Sequence, residues 1–225
     1  MTEITKLKKK YIIDITSFEL AKQDYYTSCN TINNPNFSAE KSNAAYKALC
    51  DKFDHIFRIS ATEANLKETA GIFSSEQKEL IPRVGFTTDT TDIGFTIGLF
   101  RDFYLTTQIK NSHNIKFMKD EFWALLFELS SIGKFGFKEN EKPDKNMRLK
   151  HPQLFSKTGN YYKLLRNYFL FEADYGLIRE LGYISVSWEN DTKFDTLIPK
   201  FCQAFKIMYQ INFLLWRHDN KSVKL

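Results

Sequence analysis

The chain has 225 residues, 43% of them hydrophobic and 16% aromatic, with 32 basic against 27 acidic side chains. That length and apolar content suit a folded domain and exclude a disordered tail. The net charge of +5 is unevenly spread, and a polarised charge map favours an acidic partner without naming it.

From the N-terminus, Tyr11-Ile12-Ile13-Asp14-Ile15 reads as a short strand. Thr16-Ser17-Phe18-Glu19 has the form of a capping box, in which a hydroxyl and a carboxylate satisfy free N–H groups at a helix start. Ile15 and Leu20 stand at the positions of a hydrophobic staple. Phe18, Ala21, Tyr25, Cys29 and Ile32 follow at helical spacing until Asn33-Asn34-Pro35 stops the helix. Ser38 is the next N-cap, with Glu40 at the positive end of the dipole. Ala45, Leu49, Phe53 and Ile56 make the stripe of a helix ending near Arg58.

Residues 61–81 read as one or two short helices, with a capping box at Ser74-Ser75-Glu76-Gln77 and a stop at Pro82. Beyond a turn at 87–92, Ile93, Ile97, Phe100 and Tyr104 fit a helix. Ile93, Phe95, Ile97 and Leu99 also alternate as a strand does, and the helix is preferred. In it, Gly94 and Gly98, four apart, would allow a close helix crossing. Residues 117–132 predict a central helix with Phe122, Leu125, Leu126, Leu129 and Ile132 on one face and a stop at Gly133.

Lys134 to Pro152 reads as a polar loop. Tyr161, Leu164, Leu165, Tyr168 and Phe169 predict a helix from Asn160 towards Leu181. Tyr183 to Trp188 alternates cleanly as a strand. A last helix from about Asp195 to Trp216 carries Phe194, Leu197, Ile198, Phe201, Phe205, Met208 and Leu215, with Pro199 in its first turn, where a missing N–H costs little. The expectation is a single domain over 1–225, mainly α (α+β), with six to eight helices and two or three short strands. A long basic loop at 134–158 and a frayed tail at 217–225 complete it. The excess of Phe predicts either surface aromatics at an interface or a core in which Phe replaces Leu.

The candidate site is the stretch from Lys134 to Arg166. It holds nine cations: Lys134, Lys138, Lys142, Lys145, Arg148, Lys150, Lys157, Lys163 and Arg166. Against them stand Glu139, Glu141 and Asp144, giving +6. Phe135, Phe137, Phe155, Tyr161 and Tyr162 are interleaved with the charges. Cations neutralise phosphates and aromatic faces stack on unpaired bases, so this composition suits single-stranded RNA or a protein that handles nucleic acid. Lys exceeds Arg 25 to 7, which favours nonspecific attraction over base reading. A plain solvated loop has the same composition. Lys6, Lys8, Lys9 and Lys10 form a second cluster.

Other chemistry finds little footing. Asp174 with Asp191-Thr192-Lys193 faintly has the order of a metal-dependent nuclease site, but Asp191 falls past the strand. Glu76-Gln77-Lys78 has the same letters on an expected helix. His55, His113, His151 and His218 form no zinc pattern, and Arg148 with His151 is spaced too closely for a helical ribonuclease pair. Arg217-His218 is explained by the helix dipole. Cys29, Cys50 and Cys202 predict reduced thiols, Cys202 buried and inert. No nucleophile elbow or phosphate loop is present, and no metal or cofactor is expected. No run reaches the roughly 18 apolar residues of a membrane span, so a cytoplasmic protein is expected.

The leading expectation is a non-enzymatic binding or inhibitor protein that engages RNA or a nucleic-acid-binding protein. Its general character suits a phage or mobile element, as for an anti-CRISPR protein, though no motif specifies that. A toxin-neutralising immunity protein using Asp51, Asp54, Glu63, Glu68, Glu76 and Glu79 is the alternative. A metal-dependent nuclease is the third.

Overall fold

The structure is a computed structural model that describes residues 2–29, 38–66, 68–74, 81–139 and 180–220. Its first helix, α1, spans Glu3–Tyr11, and the strand expected at 11–15 is replaced by the end of this helix, a turn and the start of the next helix at Ile15. The chain turns at Ile12, whose φ is 53° and which is 90% exposed. A left-handed residue of this kind ends a helix. Helix α2, Ile15–Cys29, is opened by Asp14, whose Oδ1 accepts the Thr16 N–H at 3.1 Å. The capping box at Thr16 is therefore replaced by an Asp cap two residues upstream. Phe18, Ala21 and Tyr25 are buried as the spacing predicts.

Helix α3, Ala39–Glu63, begins at Ser38, whose Oγ accepts the Lys41 N–H at 3.4 Å. It runs a turn beyond Arg58, burying Ile59 and Ser60. The Ser60 hydroxyl donates back to the Ile56 carbonyl at 2.7 Å, so the turn absorbs its own polar group.

The mainly helical expectation with two or three short strands is contradicted by a six-stranded antiparallel sheet. Its strands are β1 Ala70–Ser74, β2 Arg83–Thr88, β3 Gly94–Leu99, β4 Phe103–Lys110, β5 Lys134–Glu139 and β6 Glu180–Trp188. Their order across the sheet is β1-β2-β3-β4-β6-β5. In the expected 61–81 helical region, Ala70 to Ser74 pairs with β2, while Glu76 and Gln77 lie outside the described residues. Ile93 to Tyr104 is not helical: β3 and β4 occupy it, and the alternation Ile93, Phe95, Ile97 and Leu99 is the set that is buried. Gly98 has a strand reason. A Cβ there would collide with the ring of Tyr104 on β4, so the glycine makes room for an aromatic on the next strand. The expected loop at 134–158 also begins as strand β5, because Gly133 ends the preceding helix in an extended conformation.

A 3₁₀ segment, Ser112–Phe117, leads into α4, Asp120–Ile132. The last helix, α5, spans Phe194–Asp219, so Arg217 to Asp219 continue the helix where fraying was expected. The expected helix from Asn160 lies outside the described residues as far as residue 179, and its last positions, Glu180 and Leu181, open strand β6 and are not helical. The basic loop from residue 140 onward also lies outside the described residues. The chain divides into two compact units. Unit 1 comprises residues 1–105 and 187–206, and unit 2 comprises 106–186 and 207–225.

Among the described residues the Phe side chains serve both the core and the surface, since Phe100, Phe117 and Phe127 are exposed. Among the described residues ten Phe side chains are buried, and in unit 1 they form a connected set across α3, α5 and one sheet face. Phe205 of α5 is fully buried and lies 4.5 Å from Phe95, 5.5 Å from Phe86 and 6.0 Å from Phe57, centroid to centroid. Phe57 stacks on Phe86 at 5.3 Å. At the start of α5, Phe194 packs on Phe18 at 5.2 Å and Phe103 at 5.3 Å.

Two measurements test this description. Phe205→Ala will lose about 3–5 kcal/mol in urea denaturation, whereas Phe100→Ala, at a position 64% exposed, will stay within about 0.5 kcal/mol of the parent. Gly98→Ala will destabilise by about 1–3 kcal/mol, and much of that loss will disappear in a Tyr104→Ala background. Additive losses in the cycle would show that the Tyr104 ring is not what excludes a Cβ.

Candidate functional site

Unit 2 carries the whole net charge. It contains 16 basic and 10 acidic residues, a net +6, against 16 and 17, a net −1, for unit 1. The described part of unit 2 has six of each sign, so the surplus belongs to residues outside it. The polarity seen in the sequence therefore coincides with a structural division.

Of the predicted site residues, Lys134, Phe135, Phe137 and Lys138 lie on β5. Lys142, Lys145, Arg148, Lys150, Lys157, Tyr161, Tyr162, Lys163 and Arg166 lie outside the described residues. Within β5 the cations and rings separate, because successive residues of a strand alternate between faces. A Cβ on Gly136 would stand 2.6 Å from the Ser185 Oγ of β6. This places Lys134, Gly136 and the Lys138 position on the face of Tyr183 and Ser185. Phe135 and Phe137, both half-buried, fall on the face whose β6 members are the buried Ile184 and Val186.

A second group of residues meets at a place the sequence did not connect. Phe117, Met118 and Lys119 end the 3₁₀ segment and open α4; Leu214, Arg217 and His218 come from the last two turns of α5. With Glu121 and Phe122 they line a cavity of about 380 Å³ in unit 2. The rings of Phe117 and His218 are stacked, with centroids 4.6 Å apart and 2° between their planes. Phe122 is buried, whereas Phe117 is 53% exposed. Lys116 holds its Nζ 5.3 Å from the centre of the Phe117 ring. The neighbouring His113 ring lies 3.2 Å from the Asp219 carboxylate. Burial opposes ionisation of Asp219, but hydrogen bonds from Asn114 and His113 outweigh it and hold the carboxyl below its usual range.

The other candidates are used by the fold or lie outside it. Asp191-Thr192-Lys193 forms the turn before α5, with the Thr192 N–H donating to the Glu189 carbonyl at 3.0 Å; Asp174 lies outside the described residues. Among the described residues no cluster of His, Cys, Asp and Glu could hold a metal ion. Burial raises the thiols of Cys50 and Cys202 to about 11, so neither offers a thiolate at neutral pH. Among the described residues no helix is long and apolar enough to cross a membrane.

Of the acidic group, Asp54 pairs with Arg58 at 2.9 Å. Glu68 accepts the N–H groups of Thr90 and Thr91 at 2.9 and 3.0 Å. Glu63 receives Lys10 at 2.8 Å and the Tyr11 hydroxyl at 2.6 Å, tying α1 to α3. Asp51 is exposed, and Glu76 and Glu79 lie outside the described residues. No protein-family model, curated protein or solved structure matches this chain. Function rests on the residues themselves and not on analogy of fold.

The Glu63 tether has a pH signature. Hydrogen bonds from Lys10 and then Tyr11 lower its carboxyl below the ordinary 4.5. A depressed carboxyl contributes stability that is present above pH 4.5 and is lost as the pH falls through the folded-state value. Glu63→Gln will therefore flatten the fall in urea midpoint below that pH, while identical acid profiles for parent and variant would remove the tether as its cause.

Proposed function

We propose that the chain is a non-enzymatic binding protein that engages single-stranded RNA through the cationic and aromatic stretch from Lys134 to Arg166. The observation that supports this reading is the coincidence of charge and structure: unit 2 has net +6 and unit 1 net −1. Such a field raises the local concentration of a polyanion and speeds its capture. Lys142, Lys145, Arg148, Lys150, Lys157, Lys163 and Arg166, with Lys134 and Lys138, neutralise phosphates. Phe135, Phe137, Tyr161 and Tyr162 provide apolar and stacking surface. Lysine predominates, so contact is with the backbone rather than with base edges.

The immunity-protein reading draws less support, since Asp54, Glu63 and Glu68 already serve internal contacts. The nuclease reading lacks a strand position for Asp191.

A salt titration tests the proposal. If about six phosphates of a single strand are neutralised, log affinity for a labelled RNA will fall against log salt with a slope of about −4. Reversing the charge of Lys145, Arg148 and Lys150 together will abolish most of that binding. A flat salt response, or parent-like binding by the triple variant, would overturn it, and retention of an acidic protein in its place would point to a protein partner.

A further inference from the structure

We propose that the cavity between the start of α4 and the end of α5 is a binding site for one phosphorylated nucleotide, a planar base joined to a single phosphate. This goes beyond the RNA-binding reading and does not rest on it, since every lining residue lies outside the Lys134–Arg166 stretch. The volume of about 380 Å³ falls in the range used by small ligands.

The lining divides by chemistry. The stacked rings of Phe117 and His218 present a flat surface whose plane is fixed by their 2° alignment. A base can extend that stack, as nucleobases do on aromatic side chains. Phe122, buried at 1% exposure, and Leu214 supply the apolar floor. Lys119, at the N-cap of α4, and Arg217, in the last turns of α5, bring two cations to the cavity, and neither has an ion pair among the described residues. Arg217 offers the fork that matches phosphate oxygens.

Glu121 decides among anions. Its carboxylate on the same lining repels a densely charged polyphosphate, but accepts hydrogen bonds from an exocyclic amine or a sugar hydroxyl. One negative group, one flat ring and N–H or O–H donors in a single molecule describe a nucleoside monophosphate. The same chemistry occurs in a free mononucleotide and at the 5′-phosphorylated end of a strand.

The experiment is calorimetric titration of the whole chain with adenosine 5′-monophosphate, adenosine and inorganic phosphate. The monophosphate is expected to saturate, with adenosine and phosphate each at least about tenfold weaker, a difference of about 1.4 kcal/mol. Phe117→Leu and Arg217→Gln will each weaken it about tenfold or more, and Phe117→Tyr will retain it. Phe117 and Arg217 are both exposed, and thermal melting of each variant separates lost binding from lost folding. A 5′-phosphorylated pentanucleotide that matches or exceeds the monophosphate, and loses affinity with Arg217→Gln, assigns the site to a strand end; preference for the monophosphate assigns it to a free nucleotide. Absence of saturation below about 10 mM, or binding indifferent to both variants, would overturn the site. Neither result depends on Lys145, Arg148 and Lys150, so this site and the RNA-binding stretch can fail separately.

Discussion

The packing of α5 against α3 and one face of the sheet sets the terms for unit 1. Its stripe of Phe194, Leu197, Ile198, Phe201 and Phe205 is fully buried, and Phe rings occupy the places where smaller aliphatic chains often stand. Edge-to-face and tilted rings interlock in a way that fixes relative angles as well as burying area. The helix start is fixed from α2. Glu19 accepts the Phe194 N–H at 2.7 Å. Lys22, only 12% exposed, pairs with Glu19 at 2.9 Å and lies over the rings of Phe103 and Phe194 at 5.5 Å each. One carboxylate thus caps a helix 175 residues away in sequence, while a lysine buried against rings compensates its charge.

Local signals in the sequence were reliable where they answered to local physics. Ser38 caps α3 as its residue type suggests, and the stripes of α3 and α5 are buried where the spacing places them. So are Phe18, Ala21 and Tyr25 of α2, while Ile32 and the stop at Asn33-Asn34-Pro35 lie outside the described residues. Glu19 shows how such a signal misleads. Its position relative to Thr16 has the capping-box pattern, yet its carboxylate serves α5. Gly98 misleads in another way: four residues from Gly94, it suits a helix crossing, but the demand on it comes from Tyr104 across a β3–β4 turn. The sheet is only partly legible in the sequence because the alternation at 93–99 competes with helical spacing over the same apolar residues, and only strand partners decide between them.

The sites divide the same way. Charge is additive along the chain, so the cationic stretch is visible without a fold. A lined cavity is not additive. Lys116 to Lys119 and Leu214 to His218 are about a hundred residues apart, and nothing in either run anticipates the other. The buried polar residues of unit 2 are what align them. Asn114 donates to the Leu215 carbonyl at 2.9 Å. Asn212 donates to Thr107 at 3.3 Å and accepts the Lys110 N–H at 3.3 Å. Buried groups of this kind tolerate few alternative registers, because a shifted helix leaves them unsatisfied.

The composition of unit 1 from residues 1–105 and 187–206 bears on how the protein is made. A ribosome releases the apolar faces of α2, α3 and β2 to β4 well before the helix that covers them. Residues 106–186 separate the two pieces, and at about 5–20 residues per second the nascent chain waits about 4–16 seconds with those rings uncovered. Vectorial synthesis therefore leaves those rings without their native cover until the last helix emerges, so the core of unit 1 closes late in translation or after it.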